Sequence, residues 1–277
     1  MVTGSAVTAL LAFHRPTPIA ARLMRFARAI AHLAGGLATT VFVFPWLGPP
    51  KKRALIRRWS RQLLQMLGIK TRVNWLHDGG VRGHVLIVAN HISWLDIFVL
   101  NSLQPARFIA KAELKRWPIV GRLIRNVGTL FIERERRRDT HTVNRHTVDA
   151  LSRGDLVAVF PEGTTSDGTR LLKFHSSLFQ PIVDARGIVQ PIAIRYRTPA
   201  DEYSDAPAFV GDLTMIGSFW RLTGERSLIA ELNVLPPLPA SERNRRELSN
   251  AAAAAIQTVL ASPAHATAPD TRGDRRA

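Results

Sequence analysis

Residues 84–96 read HVLIVANHISWLD, and the change of grammar inside them decides the fold. HVLIVAN is a short apolar run of the length and β-branched content of a buried strand. Residues 93–103 are helical in pattern, so the chain passes from strand to helix within one tight turn. Strand followed directly by helix is the unit of α/β architecture. The turn itself carries Asn90 and His91, and Asp96 follows five residues after the histidine.

The same alternation continues on both sides. KTRVNWL at 70–76, RFIAK at 107–111, TLFIER at 129–134, DLVAVF at 155–160, VQPIAIRY at 189–196 and LIAELNVL at 228–235 read as strands. Residues 53–67, 118–128 and 138–153 read as helices, the first closed by Gly68 and the last by Gly154. A final helix runs through SERNRRELSNAAAAAIQTVLA with Ser241 as the expected cap. An irregular loop separates DLVAVF from VQPIAIRY. The expected fold is α/β: a mostly parallel central sheet flanked by helices on both faces. Residues 69–261 form this domain, 1–68 an N-terminal membrane-associated helical segment, and 262–277 a tail of Pro, Ala and charge that reads as disordered.

The N-terminal assignment rests on Ala29–Gly48, AIAHLAGGLATTVFVFPWLG, in which His32 is the sole ionisable side chain. Twenty such residues match a hydrocarbon core of roughly 30 Å. Arg22, Arg25 and Arg28 precede it, and the heavier basic cluster from Lys51 to Arg61 follows, which places the C-terminal side in the cytoplasm. Gly35, Gly36 and Pro45 make it a poor helix, so a segment dipping into one leaflet fits as well as a span. A cleaved signal peptide and a buried soluble helix are the competing readings. Residues 53–67 form a basic amphipathic helix suited to the headgroup level, or equally a domain helix with a solvated face.

Thirty-eight Lys and Arg against 21 Asp and Glu give a net charge of +17, which favours an anionic partner without choosing among nucleic acid, lipid and acidic protein. The absence of cysteine removes disulfides, thiolate zinc sites and a Cys nucleophile. No phosphate-binding loop or dinucleotide fingerprint occurs, and His141 and His146 on a polar helix are five apart, not the four that favours zinc.

The chemistry begins with His91 and Asp96. If Ser93 caps the helix, Asp96 sits in its first turn and folds back toward the imidazole. A carboxylate accepting from Nδ1–H sets the tautomer and leaves Nε2 free to take a proton from a hydroxyl. Alone, that spacing reads as well as a capping Asn, a satisfied histidine and an acid at a helix N-terminus. Two further stretches accompany it. FPEGTTS at 160–166 follows the strand DLVAVF, where Pro161 and Gly163 turn the chain at a strand's C-terminal end, the edge at which α/β sheets collect ligands. GTLFIERERRR at 128–138 ends a strand in Arg134, Arg136, Arg137 and Arg138, a possible anion clamp.

NHISWLD, GTLFIER, FPEGTTS and VQPIAI, in this order over residues 84–195, resemble the four blocks of the glycerolipid acyltransferase family, which includes the bacterial 1-acyl-glycerol-3-phosphate acyltransferases. The resemblance implies transfer of a fatty acyl group from an acyl carrier protein or coenzyme A thioester to a lysolipid hydroxyl, with no cofactor and no metal. It implies His91 as general base and Asp96 as its orienting partner. Asn90, Arg134, Glu162, Gly163, Thr164, Thr165 and Pro191 match positions associated with substrate binding. Arg134 would hold the acceptor phosphate, Glu162 and Gly163 would form the acceptor turn, and Pro191 would shape the donor side. The expected setting is the cytoplasmic face of an inner membrane, without nucleic acid.

Thr165 departs from this pattern, because phosphate-accepting members commonly carry arginine there. The EGTTSDG form, with Ser176 and Ser177 in place of an expected glycine, is similar to the lyso-ornithine lipid acyltransferase branch. The expected acceptor is 1-acyl-sn-glycerol-3-phosphate, with lyso-ornithine lipid as the alternative. A non-enzymatic basic membrane- or nucleic-acid-binding protein is the alternative of another class. A lipid hydrolase is a third, although its G-x-S-x-G elbow is absent.

Overall fold

The computed structural model describes residues 17–78, 83–117, 120–132 and 137–262. The chain opens with helix α1, Ile19–Ala38, a π-helical turn Thr39–Val43 and a 3-10 turn Phe44–Trp46, then helix α2, Pro49–Met66. Strand β1 is Ile69–Trp75, β2 Val85–Ala89, helix α3 Asp96–Leu103 and β3 Arg107–Lys111. Helix α4, Val120–Asn126, β4, Leu130–Ile132, helix α5, Arg137–Ser152, and β5, Val157–Val159, follow. Helix α6 is Gln180–Asp184, β6 Ile188–Arg197, α7 Met215–Gly224, β7 Leu228–Val234, β8 Leu238–Pro239 and α8 Arg245–Ala261.

The strands form one sheet in the order β1-β7-β6-β2-β5-β3-β4, with β8 on β6. Every pairing is parallel except β6 with β7 and with β8. The mostly parallel sheet is therefore as expected, and all seven strands read from the sequence are present. Both faces are covered, because the strands feed two apolar clusters on opposite sides. Ile87, Ala89, Ile192 and Ile194 join one; Leu86, Val88, Val189 and Ala193 join the other. Alternate residues of β2 and β6 thus go to alternate layers, as the pleat requires.

Several boundaries move, each for a local reason. Asn244, not Ser241, caps α8, because its side chain accepts from the amides of Arg246 and Glu247 while Glu247 reaches back to its own amide. Helix α7 arises in a stretch to which the sequence reading assigns no element, although Thr214 caps it by accepting from Gly217 N–H. Helix α1 begins ten residues before the apolar run, at Ile19, taking in the arginines. Ile19–Trp46 is long and apolar enough to cross a membrane, with mean hydropathy 1.4 over an 18-residue window of which 22 % is buried.

Gly36, which weakens α1 as a helix, is where α2 crosses it. A Cβ there would stand 2.6 Å from Trp59 Nε1. The crossing is sealed by reciprocal bonds: His32 Nε2–H donates to Trp59 O at 3.0 Å, and Trp59 Nε1–H donates to His32 O at 3.2 Å. Leu63, Leu64 and Leu67 of this hairpin share a core cluster with Val99 and Leu100, so α2 packs directly on α3 beside the turn that carries His91.

Candidate active site

Strands β2 and β5 are parallel neighbours, so the turns leaving them, 90–95 and 160–166, emerge side by side at one sheet edge. His91 and Asp96 meet there: Nδ1 is 2.8 Å from Oδ2. Asp96 does fold back, but Ser93 is not the cap. Asp96 Oδ2 itself accepts from the amides of Ile92 at 2.7 Å and Ser93 at 2.9 Å, closing the turn that Ser93 was expected to close. Its other oxygen accepts from the Tyr196 hydroxyl at 2.7 Å.

Asp96 is fully buried, and four donors surround its carboxylate: the His91 ring, two backbone amides and the Tyr196 hydroxyl. Burial, and then the carboxylate beside it, push the Tyr196 phenol well above its usual range, so the hydroxyl remains a donor. The His91 side chain keeps 19 % of its surface exposed while Asp96 has none, so access to this pair is through the imidazole. Phe160 stacks on that ring at 4.0 Å and 7°. Among the described residues nothing bonds Nε2, which leaves that nitrogen available to take a proton.

The second turn grips the first. Glu162 Oε1 accepts from His91 N–H at 2.7 Å, and Oε2 accepts from Leu172 N–H at 2.9 Å. Ser166 N–H donates to His91 O at 2.8 Å. Both backbone groups of His91 are thus fixed by the 160–166 turn, whose shape depends on Gly163 at φ +73. Burial pushes Glu162 up to about 7, while the bonds from Leu172 and His91 pull it down.

The residues expected to bind substrate therefore divide. Asn90 is buried and stitches two strands together, its amide donating to Ile194 O at 3.0 Å and accepting from Ile194 N–H at 2.7 Å. Glu162 has both oxygens on backbone amides. Pro191 is buried inside the sheet, in register with Val88, where its carbonyl accepts from Leu235 N–H. Thr164 is exposed at the turn, while Thr165 donates its hydroxyl to Phe209 O. Arg134 and Arg136 lie outside the described residues, as does the tail from 263.

Sequence reading missed Tyr196 and Phe160. Both have a visible signal, since Tyr196 alternates with Ile192 and Ile194 on the face that enters the core, and a buried phenol needs a partner. The serines nearest the pair are committed to backbone: Ser93 Oγ accepts from Leu95 N–H, and Ser166 Oγ accepts from Gly168 N–H.

A protein-family model described as Acyltransferase matches residues 70–195. A lyso-ornithine lipid O-acyltransferase of Pseudomonas aeruginosa is 36% identical over 245 residues, covering 86% of this chain and 93% of that protein. A 1-acyl-sn-glycerol-3-phosphate acyltransferase of Neisseria gonorrhoeae is 37% identical over 181 residues, covering 65% of this chain and 71% of that protein. The crystal structure of PlsC from Thermotoga maritima superposes with a TM-score of 0.62 at 21% identity, covering 88% of this chain and 96% of that one, which shows a shared fold. The matched region contains both turns that meet at His91, and the chain belongs to the acyltransferase family.

Proposed function

We propose that this enzyme moves a fatty acyl group from an acyl carrier protein or coenzyme A thioester to the hydroxyl of a lysolipid. One observation carries the reading: an imidazole held at Nδ1 by a buried carboxylate, open at Nε2, with no nucleophilic side chain bonded to it among the described residues. Such a pair deprotonates a hydroxyl, and the acceptor supplies that hydroxyl. His91 Nε2 takes the proton as the acceptor oxygen forms its bond to the thioester carbon. The tetrahedral intermediate then collapses, the C–S bond breaks, and the imidazolium returns the proton to the leaving thiolate. Asp96 holds the tautomer and stabilises the imidazolium.

The acceptor has two readings, named by the two relatives above. The Thr165 hydroxyl is occupied by Phe209 O and offers no cation to a phosphate, which favours lyso-ornithine lipid over 1-acyl-sn-glycerol-3-phosphate. Arg170 and Lys173 stand exposed on the following loop as the nearest cations in sequence for a phosphate acceptor. The apolar α1 supports work at a membrane, with the basic residues after it on the cytoplasmic side of an inner membrane.

The test is an acceptor panel with purified protein: lysophosphatidate, lyso-ornithine lipid and other lysolipids, each with acyl carrier protein and coenzyme A thioesters. Acyl label should appear on one lysolipid class without a covalent acyl-enzyme. Release of free fatty acid alone, with every acceptor unacylated, would replace transfer by hydrolysis.

A further inference from the structure

Exposed apolar surface on this protein is not scattered. Of fourteen exposed large hydrophobic side chains among the described residues, seven lie in 19–46 and four more in 203–220, two segments far apart in sequence. The second segment includes Ile216, 71% exposed, and Trp220, 38% exposed, one helical turn apart on α7. Phe219 and Leu222 of the same helix are buried, so Ile216 and Trp220 belong to a separate, outward face.

Helix α7 is joined to α1. Phe26 meets Phe219 edge-on at 5.1 Å, and the Arg22 guanidinium lies 4.0 Å over the Trp220 ring. Arg22 Nη2 also donates to Trp220 O at 2.6 Å, and Arg25 Nη1 donates to Glu225 O at 2.5 Å, so α1 arginines cap the end of α7. The other side of the segment is joined to the catalytic turns. Trp94, within NHISWLD, donates Nε1–H to Ser218 Oγ at 3.0 Å and stacks on Phe219. Phe209 N–H donates to Ile92 O at 2.9 Å, Phe209 O accepts from Thr165, and the Tyr203 hydroxyl donates to Asp167 O.

We propose that residues 203–224 are a second membrane-seating element, continuous with α1, through which Ile216 and Trp220 enter the interfacial layer of an anionic bilayer beside the turn that carries His91. The proposal rests on the reading that the chain works at a membrane. Continuity with a helix apolar enough to cross a bilayer sets the partner as lipid. The charge complements it, since the Arg22 guanidinium lies over the exposed Trp220 ring and Arg221, paired with Asp205, adjoins it, the pairing of basic and aromatic side chains that favours a headgroup layer. The consequence is functional: seating this segment brings the 90–96 and 160–166 turns to the depth at which a lysolipid presents its hydroxyl, so the acceptor need not leave the bilayer plane.

The chain has no cysteine, so single labels report single sites. An environment-sensitive fluorophore is attached to Ile216→Cys, to Leu23→Cys on α1 and to Gln257→Cys on the exposed side of α8. Each labelled protein is mixed with vesicles of phosphatidylethanolamine and phosphatidylglycerol carrying brominated acyl chains. The expected result is a blue shift and quenching at 216 and 23, with the 257 label unchanged. A quenched 23 with a water-like 216 overturns the proposal and leaves the membrane reading standing. Water-like labels at both sites overturn both. Quenching at 216 alone removes the continuity with α1, and quenching at 257 as well marks indiscriminate adsorption; either result sinks the proposal. A blue shift at 216 before vesicles are added, growing with protein concentration, assigns the face to a second copy instead. In parallel, Ile216→Glu should lose turnover on acceptor embedded in vesicles while keeping it on a short-chain, water-soluble acceptor. Equal loss on both would show that the residue matters for folding, not for seating.

Discussion

Tyr196→Phe removes one oxygen atom and asks whether the fourth donor on Asp96 matters. The ring is retained and stays buried, so packing is conserved and only the 2.7 Å bond to Oδ1 is lost. A hydrogen bond to a charged acceptor contributes about 1.5–3 kcal/mol, and here the acceptor has no access to water. Taking about 2 kcal/mol as the middle, Tm should fall by roughly 4–8 °C for a chain of this size. The amides of Ile92 and Ser93 and the imidazole all hold Oδ2, so removing the hold on Oδ1 frees the carboxylate to rotate about its remaining anchor. His91 then follows its partner out of line, and a drop in kcat of about tenfold corresponds to ~1.4 kcal/mol of barrier. The assay is steady-state acyl transfer on a saturable acceptor, with thermal unfolding of the same preparation. KM for the acceptor should be unchanged, because the phenol touches no substrate. Wild-type kcat together with wild-type Tm would refute the reasoning, and an effect confined to KM would refute the positioning part of it.

Three further outcomes follow from the same geometry. His91→Ala should abolish acyl transfer while the protein remains folded and membrane-bound; turnover within about tenfold of wild type would remove the imidazole as base. Asp96→Asn can keep the turn closed with its amide nitrogen toward Tyr196, but loses the charge that stabilises the imidazolium, so kcat should fall by roughly two to three orders of magnitude; a change in KM alone would count against the role. For Glu162, the folded carboxyl is raised to about 7 from 4.5, so the folded state binds the extra proton between those values. Its contribution to stability therefore declines as pH rises from about 4.5 to about 7, and Glu162→Gln should flatten that slope in unfolding measured across the window. The same variant sets an amide N–H₂ against one of two backbone donors, so at pH 8 it should also unfold more easily by about 1–3 kcal/mol; an unchanged slope and midpoint would dismiss both points.

What the sequence made legible depends on how far apart the interacting residues are. His91 and Asp96 are five residues apart, and their bond is set by the turn between them, so spacing alone could raise it as a candidate. Most strands were legible because both faces of the sheet are covered there, which turns them into continuous apolar runs, while β1, at the exposed edge, was legible by its alternation. Asn90 shows the limit. It follows the strand at a turn, the place where a polar side chain usually serves a ligand, yet it spends both halves of its amide on Ile194, 104 residues away. Glu162 likewise looks like an acceptor contact in FPEGTTS until β2 and β5 are set side by side, when its two oxygens fall on the amides of His91 and Leu172. In the structure both residues are spent on backbone groups that organise the turn carrying His91. Helix α7 escaped for another reason. Its apolar residues point both inward and outward, so MIGSFWRL has no single stripe, and only the packed chain separates Phe219, which meets Trp94, from Trp220, which does not.

The site can therefore be ordered by what each contact constrains. Asn90 fixes β2 against β6, which brings Tyr196 to Asp96. Asp96 closes the turn and aims His91, and Glu162 and Ser166 pin the backbone on which that imidazole is mounted. Among the described residues, the bonds to this turn go to holding the imidazole and its backbone and none goes to Nε2, so on the proposed function the substrate brings the nucleophile. A hydroxyl already fixed in a bilayer interface meets that requirement better than one diffusing in water. Its depth and orientation are set before it reaches the enzyme, so less freedom remains to be lost on the way to attack. On this argument the same lysolipid should be acylated faster when held in a vesicle than when dispersed as monomer at equal local concentration, and the advantage should shrink in the Ile216→Glu variant. Equal rates in both settings for the unaltered enzyme would mean that the seating of residues 203–224 contributes nothing to the chemistry.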